Sequence, residues 1–148
     1  MVRDSLLGFS KQRLMYEIVK TISFCYGHRL INYVGPCANI HGHNARADIM
    51  LASSELDEKG MVMDFGDIRS VIKKWIDETL DHTLLLHKDD SINPVLLEEN
   101  EKFYVMDANP TAENIAKLIF EYALEQKFPV VSVTLWESDT SFARYSLP

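Results

Sequence analysis

Three of the five histidines in the sequence have a spacing that could bind a metal ion. His28 is followed, after twelve residues, by the segment His41-Gly42-His43. Side chains alternate along a strand, so His41 and His43 would lie on one side of an extended segment. Three imidazoles with an open fourth position are typical of a catalytic zinc site rather than a structural one. The competing interpretation is a chance His-x-His pair on a solvated strand.

Cys37 lies four residues before His41, and three chemistries are open to it. Its thiol could be a fourth metal ligand, which would close the site. It could instead be a reactive thiolate whose pKa is lowered by a nearby cation. The third interpretation is a small buried hydrophobic residue, and we favour that interpretation for Cys25, which adjoins Phe24 in a predicted strand.

Asp81-His82 and Glu137 are the other candidates for chemistry. A carboxylate beside an imidazole can orient the ring and raise its basicity, although this dipeptide is also common at helix ends. Glu137 continues the apolar face formed by Val133 and Leu135, so its carboxylate needs hydrogen-bond donors if it is buried. A ligand with two adjacent N–H groups could supply them. Alternatively, the strand simply emerges into solvent at Glu137.

The predicted elements explain how these residues could meet. Alternation and apolar periodicity predict strands over 12–26, 43–53, 130–137 and 141–146, and helices over 64–80 and 111–126. Asp64 and Thr111 are the expected N-caps of the two helices. We predict that the first two strands pair antiparallel, which would bring His28 to the His41-Gly42-His43 segment. Gly42 would let the two backbones approach closely.

The connections complete an α+β arrangement of order β-β-α-α-β-β, in which helices cover one face of an antiparallel sheet. We interpret residues 1–11 as an N-terminal extension and 29–40 as a loop. The stretch 83–110 is interpreted as a long, functional connection that contains His87 as a loop histidine. Four strands leave two unprotected edges, which indicates an oligomer.

Composition limits the classes of function. The 148 residues suit one domain (1–148), with 47% hydrophobic and 25% charged residues, so a disordered chain is not expected. The net charge of −7, without a basic run, argues against binding to nucleic acid or to an anionic membrane. We find neither a signal-peptide pattern nor an apolar run long enough to span a membrane. Two cysteines are few for a disulfide scaffold, so we expect a reducing cytoplasm.

Six short segments, taken together and in order, resemble the 6-pyruvoyltetrahydropterin synthase / 6-carboxytetrahydropterin synthase family. They are Phe24-x-x-x-His28-Arg29-Leu30, Cys37-x-x-x-His41-Gly42-His43-Asn44, Gly60-Met61-Val62-Met63-Asp64-Phe65, Leu80-Asp81-His82-Thr83-Leu84-Leu85, Pro110-Thr111-Ala112-Glu113-Asn114 and Trp136-Glu137. The resemblance runs from about residue 15 to residue 146. One departure is visible, because the family usually has two small residues where this chain has Tyr26-Gly27.

The resemblance implies the tunnelling fold, or T-fold, in which subunits join their sheets into a trimeric β-barrel. Two such trimers usually stack, so the expected partner is a second copy of the chain in a trimer or a dimer of trimers. The family's catalytic groups come from neighbouring subunits. A small-molecule pterin triphosphate is the expected substrate.

The resemblance also implies roles for particular residues. The zinc ligands would be His28, His41 and His43. Cys37 would be the catalytic thiol, with Asp81 and His82 of a neighbouring chain as its proton-transfer partners. The pterin ring would be bound by Glu137, with Thr111 and Glu113 near the same ring.

The three residues between Cys37 and His41 resemble the bacterial 6-carboxytetrahydropterin synthases of queuosine (7-deazaguanine) biosynthesis. The animal 6-pyruvoyl enzymes have a longer insertion there, and a folate branch has Glu in place of the cysteine. The implied enzyme is a lyase that converts 7,8-dihydroneopterin triphosphate to 6-carboxy-5,6,7,8-tetrahydropterin, acetaldehyde and triphosphate.

The alternatives are a 6-pyruvoyltetrahydropterin synthase and a non-catalytic zinc-binding oligomer in which Cys37 is a ligand. A zinc hydrolase unrelated to pterins is disfavoured, because the sequence has no HExxH motif. Four cations could meet the triphosphate, and the sequence does not choose among them: Arg29, Arg46, Lys102 and Arg144.

Overall fold

A computed structural model describes residues 15–148. The N-terminal extension predicted over 1–11 and the beginning of the first predicted strand lie outside the described residues. Within them the chain forms a six-stranded mixed sheet of order β4-β3-β1-β2-β5-β6. The strands are β1 (Tyr16–His28), β2 (His41–Ser53), β3 (Thr83–His87), β4 (Phe103–Met106), β5 (Val130–Ser138) and β6 (Ser141–Ser146).

The first predicted helix is continuous, but its central turn is π-helical rather than α-helical. It consists of α1 (Phe65–Ile68), a π-helical turn (Arg69–Lys73) and α2 (Lys74–Thr79). The others are a 3-10 turn (Pro36–Ala38), α3 (Asn93–Glu98) and α4 (Ala112–Glu125). Both predicted N-caps are confirmed, since the Asp64 carboxylate accepts the Gly66 N–H and the Thr111 hydroxyl accepts the Asn114 N–H. No helix among residues 15–148 combines the length and the apolar character needed to cross a membrane.

The long antiparallel pair β1–β2 is the centre of the sheet. Its register runs from Tyr16 opposite Ser53 to His28 opposite His41. The predicted alternation is confirmed, because Phe24 in β1 and Ala45 in β2 are buried on the same face. The helices cover that face with fully buried side chains that include Ile68, Ile72, Ile76, Ile115 and Ile119. The α+β expectation is therefore confirmed.

The interpretation of 83–110 as a connecting loop is wrong. This stretch contains β3, α3 and β4, and His87 is the last residue of β3 rather than a loop residue. Both strands pair parallel, β3 with β1 and β4 with β3, so the sheet has six strands and is mixed rather than wholly antiparallel. Among residues 15–148 the two edge strands of the sheet are β4 and β6.

Candidate active site

Three imidazoles converge at the end of the β1–β2 pair. His28 Nε2 lies 3.0 Å from His41 Nε2 and 3.2 Å from His43 Nε2. The three ligand atoms lie within 4.8 Å of one another. Register explains this arrangement, because His28 is opposite His41, and His43 belongs to the same face as His41. The sequence-predicted grouping of the three histidines is therefore present in a single chain.

The hydrogen bonds of this histidine cluster fit a metal ion. His28 Nδ1 lies 2.6 Å from the Pro110 carbonyl, and His41 Nδ1 lies 2.7 Å from the Asn39 carbonyl. A carbonyl oxygen only accepts hydrogen bonds, so each Nδ1 carries the proton. In the neutral rings both Nε2 lone pairs then face each other, which is unfavourable without a cation between them. Burial lowers the pKa of His28, so a proton is disfavoured in that position.

Backbone contacts on either side fix the cluster. The Asn109 side chain accepts the Ile31 N–H and donates to the Ile31 carbonyl, which joins the loop after β1 to the loop before α4. This contact keeps the Pro110 carbonyl against His28. A Cβ on Gly42 would lie 2.8 Å from the Tyr26 carbonyl oxygen, so the predicted close backbone approach is confirmed.

Glu137 lies directly beside the histidine cluster. Its Oε1 atom is 3.8 Å from His43 Nε2 and 4.0 Å from His28 Nε2. The same oxygen accepts a hydrogen bond of 2.9 Å from the Tyr26 hydroxyl. Burial, reinforced by the Glu137 charge, raises the pKa of Tyr26, so the phenol stays protonated and acts as the donor. The strand therefore does not simply emerge into solvent at Glu137, whose side chain is 26% exposed.

A second cluster of side chains that could act in catalysis consists of Cys25, Asp81 and His82. Asp81 Oδ1 accepts the Cys25 backbone N–H at 2.8 Å, and Asp81 Oδ2 lies 2.9 Å from His82 Nδ1. Burial alone would raise the pKa of Asp81, but the Cys25 N–H and His82 outweigh it and the pKa is lowered. His82 has φ 53°, in the left-handed region that a non-glycine residue adopts at some cost. Its side chain is 79% exposed, so the ring is presented to solvent.

The two groups lie on opposite faces of β1. His28 shares the buried face with Phe24 and Tyr26, whereas Cys25 has the opposite parity. The Cys25 Sγ atom lies within 4.8 Å of ligand atoms of Asp81 and His82, so this pair is on the Cys25 side of the strand. Among residues 15–148 the Asp81–His82 pair and the histidine cluster are therefore separate groups, although His43 and His82 both line one depression.

The other predicted site residues are more dispersed. Cys37 is half-buried in the 3-10 turn, and its carbonyl accepts the Leu30 N–H. Among residues 15–148 the metal-ligating group at the cluster consists of the three histidines and does not include Cys37. Thr111 directly follows Pro110, whose carbonyl contacts His28, and its side chain caps α4. Glu113 is exposed in the first turn of that helix.

The sequence model of the 6-pyruvoyl tetrahydropterin synthase family matches residues 17–148. The chain belongs to this family. Relatives named 6-carboxy-5,6,7,8-tetrahydropterin synthase, from Rickettsia conorii and Haemophilus influenzae, are 39% and 32% identical over 135 and 139 residues. Those alignments cover 86% and 88% of this chain and 98% and 99% of the relatives.

Solved structures confirm the tunnelling fold of this pterin synthase family. An uncharacterized protein from Wolinella succinogenes matches with a TM-score of 0.76 and 30% identity, over 90% of this chain and 98% of that one. The 6-pyruvoyl tetrahydropterin synthase of Caenorhabditis elegans shares the fold with a TM-score of 0.67 and 22% identity. That match covers 91% of this chain and 97% of the worm protein.

The four candidate cations of this pterin synthase differ in their surroundings. Arg29 pairs with Asp90, and Arg144 Nε donates to the Thr134 hydroxyl. Arg46 lies over the Trp136 ring and Lys102 Nζ donates to the Asp81 carbonyl. Both line adjoining depressions that share His82 as a lining residue. These two cations are therefore the ones next to the Asp81–His82 pair.

Sequence reasoning missed several residues that support the site. Cys25 was interpreted as a buried hydrophobic residue, whereas it lies with Asp81 and His82. The Pro110 carbonyl has no sequence signature, because every residue type has a main-chain oxygen. The Asn109 side chain bonds to the backbone of Ile31, which is 78 residues away and has no signature either. The sequence marks Tyr26 only as a departure from the family's two small residues, and its hydrogen bond to Glu137 was missed.

The buried ion pair between Arg29 and Asp90 gives a prediction for stability. Asp90 is buried, accepts from Arg29 Nε at 2.8 Å and also accepts the Ile92 N–H. We expect Asp90→Asn to lower the free energy of unfolding at pH 7 by about 2 kcal/mol, less than for a fully buried pair because the Arg29 side chain is 24% exposed. Urea denaturation measures the change.

The pH dependence follows from the lowered pKa of Asp90, which the Arg29 hydrogen bond causes first. A carboxylate with a lowered pKa stabilises the fold above its unfolded pKa of about 3.9, and this contribution is lost as pH falls through the folded value. The difference between wild type and Asp90→Asn should therefore shrink below about pH 4. Asp107→Asn, which removes an exposed pair with Lys88, is the control and should leave unfolding unchanged. An equally stable Asp90→Asn variant would contradict the prediction.

Proposed function

We propose that the protein is a zinc-dependent 6-carboxy-5,6,7,8-tetrahydropterin synthase of queuosine biosynthesis. Its substrates would be 7,8-dihydroneopterin triphosphate and water, and its products 6-carboxytetrahydropterin, acetaldehyde and triphosphate. One observation carries the proposal: a carboxylate suited to a pair of N–H donors, Glu137, lies within 4.0 Å of His28 Nε2 and His43 Nε2, two of the three converging imidazole nitrogens. The names of the relatives from Rickettsia conorii and Haemophilus influenzae support the choice of reaction. The two free cysteines fit a reducing cytoplasm.

The metal would be held by His28, His41 and His43. Three neutral imidazoles are a common ligand set for catalytic zinc and leave a position open to substrate. Bound zinc supplies Lewis-acid chemistry, which lowers the pKa of a coordinated hydroxyl and stabilises negative charge. The hydrogen bonds from the rings to Pro110 and Asn39 would keep the three nitrogens oriented toward the ion.

Glu137 would bind the pterin ring. A carboxylate accepts a pair of parallel N–H donors well, and the pterin 2-amino group and neighbouring ring N–H form such a pair. Its position beside the histidines would put the ring's side chain near the metal. Thr111 and Glu113 would lie near the same ring, because the segment that begins α4 also supplies the Pro110 contact to His28.

Proton transfer would use residues of two chains. Cys37 as a thiolate would remove a side-chain proton, and His82, oriented by Asp81, would exchange protons on the other side of the substrate. The Asp81–His82 pair lies on the opposite face of β1 from the histidine cluster of its own chain, so it would serve a neighbouring subunit. Arg46 and Lys102, beside His82, would meet the triphosphate.

The free edges β4 and β6 support assembly of this kind, because an unpaired edge strand can pair with another chain. We propose a homo-oligomer, a trimer or a dimer of trimers, with its sheets joined into a barrel.

Product analysis tests the proposed reaction. Zinc-loaded protein incubated with 7,8-dihydroneopterin triphosphate should release acetaldehyde and triphosphate and form 6-carboxytetrahydropterin, identified by mass spectrometry. Formation of 6-pyruvoyltetrahydropterin without acetaldehyde would instead establish the 6-pyruvoyl reaction. Absence of turnover by metal-loaded oligomer would favour a non-catalytic zinc protein, and a thiolate charge-transfer band in the cobalt-substituted protein would then identify a cysteine ligand.

A further inference from the structure

Tyr26 contacts both the histidine cluster, through its ring, and Glu137, through its hydroxyl. Its side chain is buried on the face of β1 that leads to His28, opposite His43 in β2. The ring lies edge-on to the His28 imidazole, with centroids 5.2 Å apart, and its centroid is 5.7 Å from that of His43. These contacts leave the phenol little freedom, so its hydroxyl has a fixed position.

The fixed hydroxyl determines where the Glu137 carboxylate lies. Glu137 is near the end of β5, where the pairing with β6 is irregular between Trp136 and Ser138. A glutamate at such a place has several rotamers available and would otherwise turn toward solvent. The 2.9 Å bond from Tyr26 to Oε1 holds it on the side of the histidines and leaves Oε2 available to a second donor.

We propose that Tyr26 is a positioning residue that orients Glu137 for the N–H donors of the pterin ring. This inference rests on the proposed function, in which Glu137 binds that ring. A carboxylate that is already oriented before the ligand arrives loses less conformational freedom on binding, so Tyr26 contributes to affinity rather than to the chemical step.

The direct test is Tyr26→Phe, which keeps the ring and removes the hydroxyl. For the zinc-loaded protein we expect KM for 7,8-dihydroneopterin triphosphate to rise about tenfold, as fits the loss of a hydrogen bond to a charged group, with kcat changed less than about twofold. Tyr122→Phe is the matched control, because Tyr122 stacks on Trp75 with ring centroids 4.2 Å apart. It should leave both constants unchanged.

A double-mutant cycle separates positioning from packing. Equilibrium binding of 7,8-dihydroneopterin, followed by its fluorescence, is measured for wild type, Tyr26→Phe, Glu137→Ala and the double variant. If Tyr26 acts through Glu137, the hydroxyl has no further effect once the carboxylate is gone. An unchanged affinity of Tyr26→Phe, or an equal loss in both backgrounds, would overturn the positioning role.

Failure of the proposed reaction can be distinguished from failure of the positioning role of Tyr26. A wild-type protein that binds the pterin but does not convert the triphosphate would count against the proposed reaction and leave the cycle interpretable. The hydrogen bond itself is tested without pterin by tyrosine labelled with ¹³C at Cζ. Glu137→Ala should shift the Tyr26 resonance and leave that of Tyr122 in place, and an unshifted Tyr26 resonance would overturn the inference.

Discussion

Replacing His41 by Ala is expected to abolish stoichiometric zinc binding and to lower turnover by at least about 1,000-fold. Loss of a group that only orients a ligand typically costs about 10–100-fold in metal affinity, so loss of one of three ligands should cost more. His41 is the best of the three to change. It is half-exposed, whereas His28 is buried and its removal would open the core.

Metal content after dialysis, measured by atomic emission, and turnover on the same samples check this prediction. His87→Ala is the control, because His87 ends β3, its Nδ1 accepts the Asp89 N–H and it is not one of the three clustered ligands. It should keep full metal content. Stoichiometric zinc in His41→Ala would mean that these imidazoles do not form the metal site.

The same variant distinguishes a metal site from a structural histidine cluster. When both rings are neutral in the metal-free protein, the Nε2 lone pairs of His28 and His41 face each other, so removing one ring relieves an unfavourable contact. We therefore expect metal-free His41→Ala to be at least as resistant to urea as metal-free wild type. A hydrogen-bonded structural cluster would show the opposite, because one polar partner would be lost.

The parts of the fold that the sequence predicts well are those specified by local patterns. Two-residue alternation in β1 and β2 determines which side chains are buried, and a cap residue determines where α1 and α4 begin. The stretch 83–110 has no such pattern. Three consecutive leucines, Leu84–Leu86, form the middle of β3 without alternation, as is usual for parallel strands, and no hairpin turn connects β3 to its neighbours.

The site was predictable to the extent that register determines it. His28, His41 and His43 meet because two strands pair antiparallel, and parity alone turns Glu137 inward. The contacts that depend on distant pairing were not predictable. Tyr26 and Glu137 are 111 residues apart, and Cys25 meets Asp81 through a backbone N–H that carries no side-chain signature.

The second prediction concerns which cysteine is the catalytic thiol. Cys37 is the proposed one, but Cys25 is the cysteine that lies beside Asp81 and His82 within one chain. We expect Cys37→Ala to lower kcat by about 1,000-fold, within the range for loss of a general base, with zinc content and 7,8-dihydroneopterin binding retained. Cys25→Ala should keep most of the activity, because Asp81 is held by the Cys25 backbone N–H, which alanine preserves. If Cys25→Ala instead lost its activity and Cys37→Ala kept it, Cys25 would be the catalytic thiol that works with Asp81 and His82.

Mixed oligomers decide which chains contribute to one site. Homo-oligomers of Cys37→Ala and of His82→Ala should both be inactive. If Cys37 and the Asp81–His82 pair come from neighbouring chains, co-refolding the two variants in equal amounts creates sites that have both native residues, about one quarter of the total for random assembly. If one chain supplied both Cys37 and His82 to a site, every site in the mixture would lack one of the two residues and no activity would return. The opposite faces of β1 occupied by His28 and by the Asp81–His82 pair lead us to expect recovery.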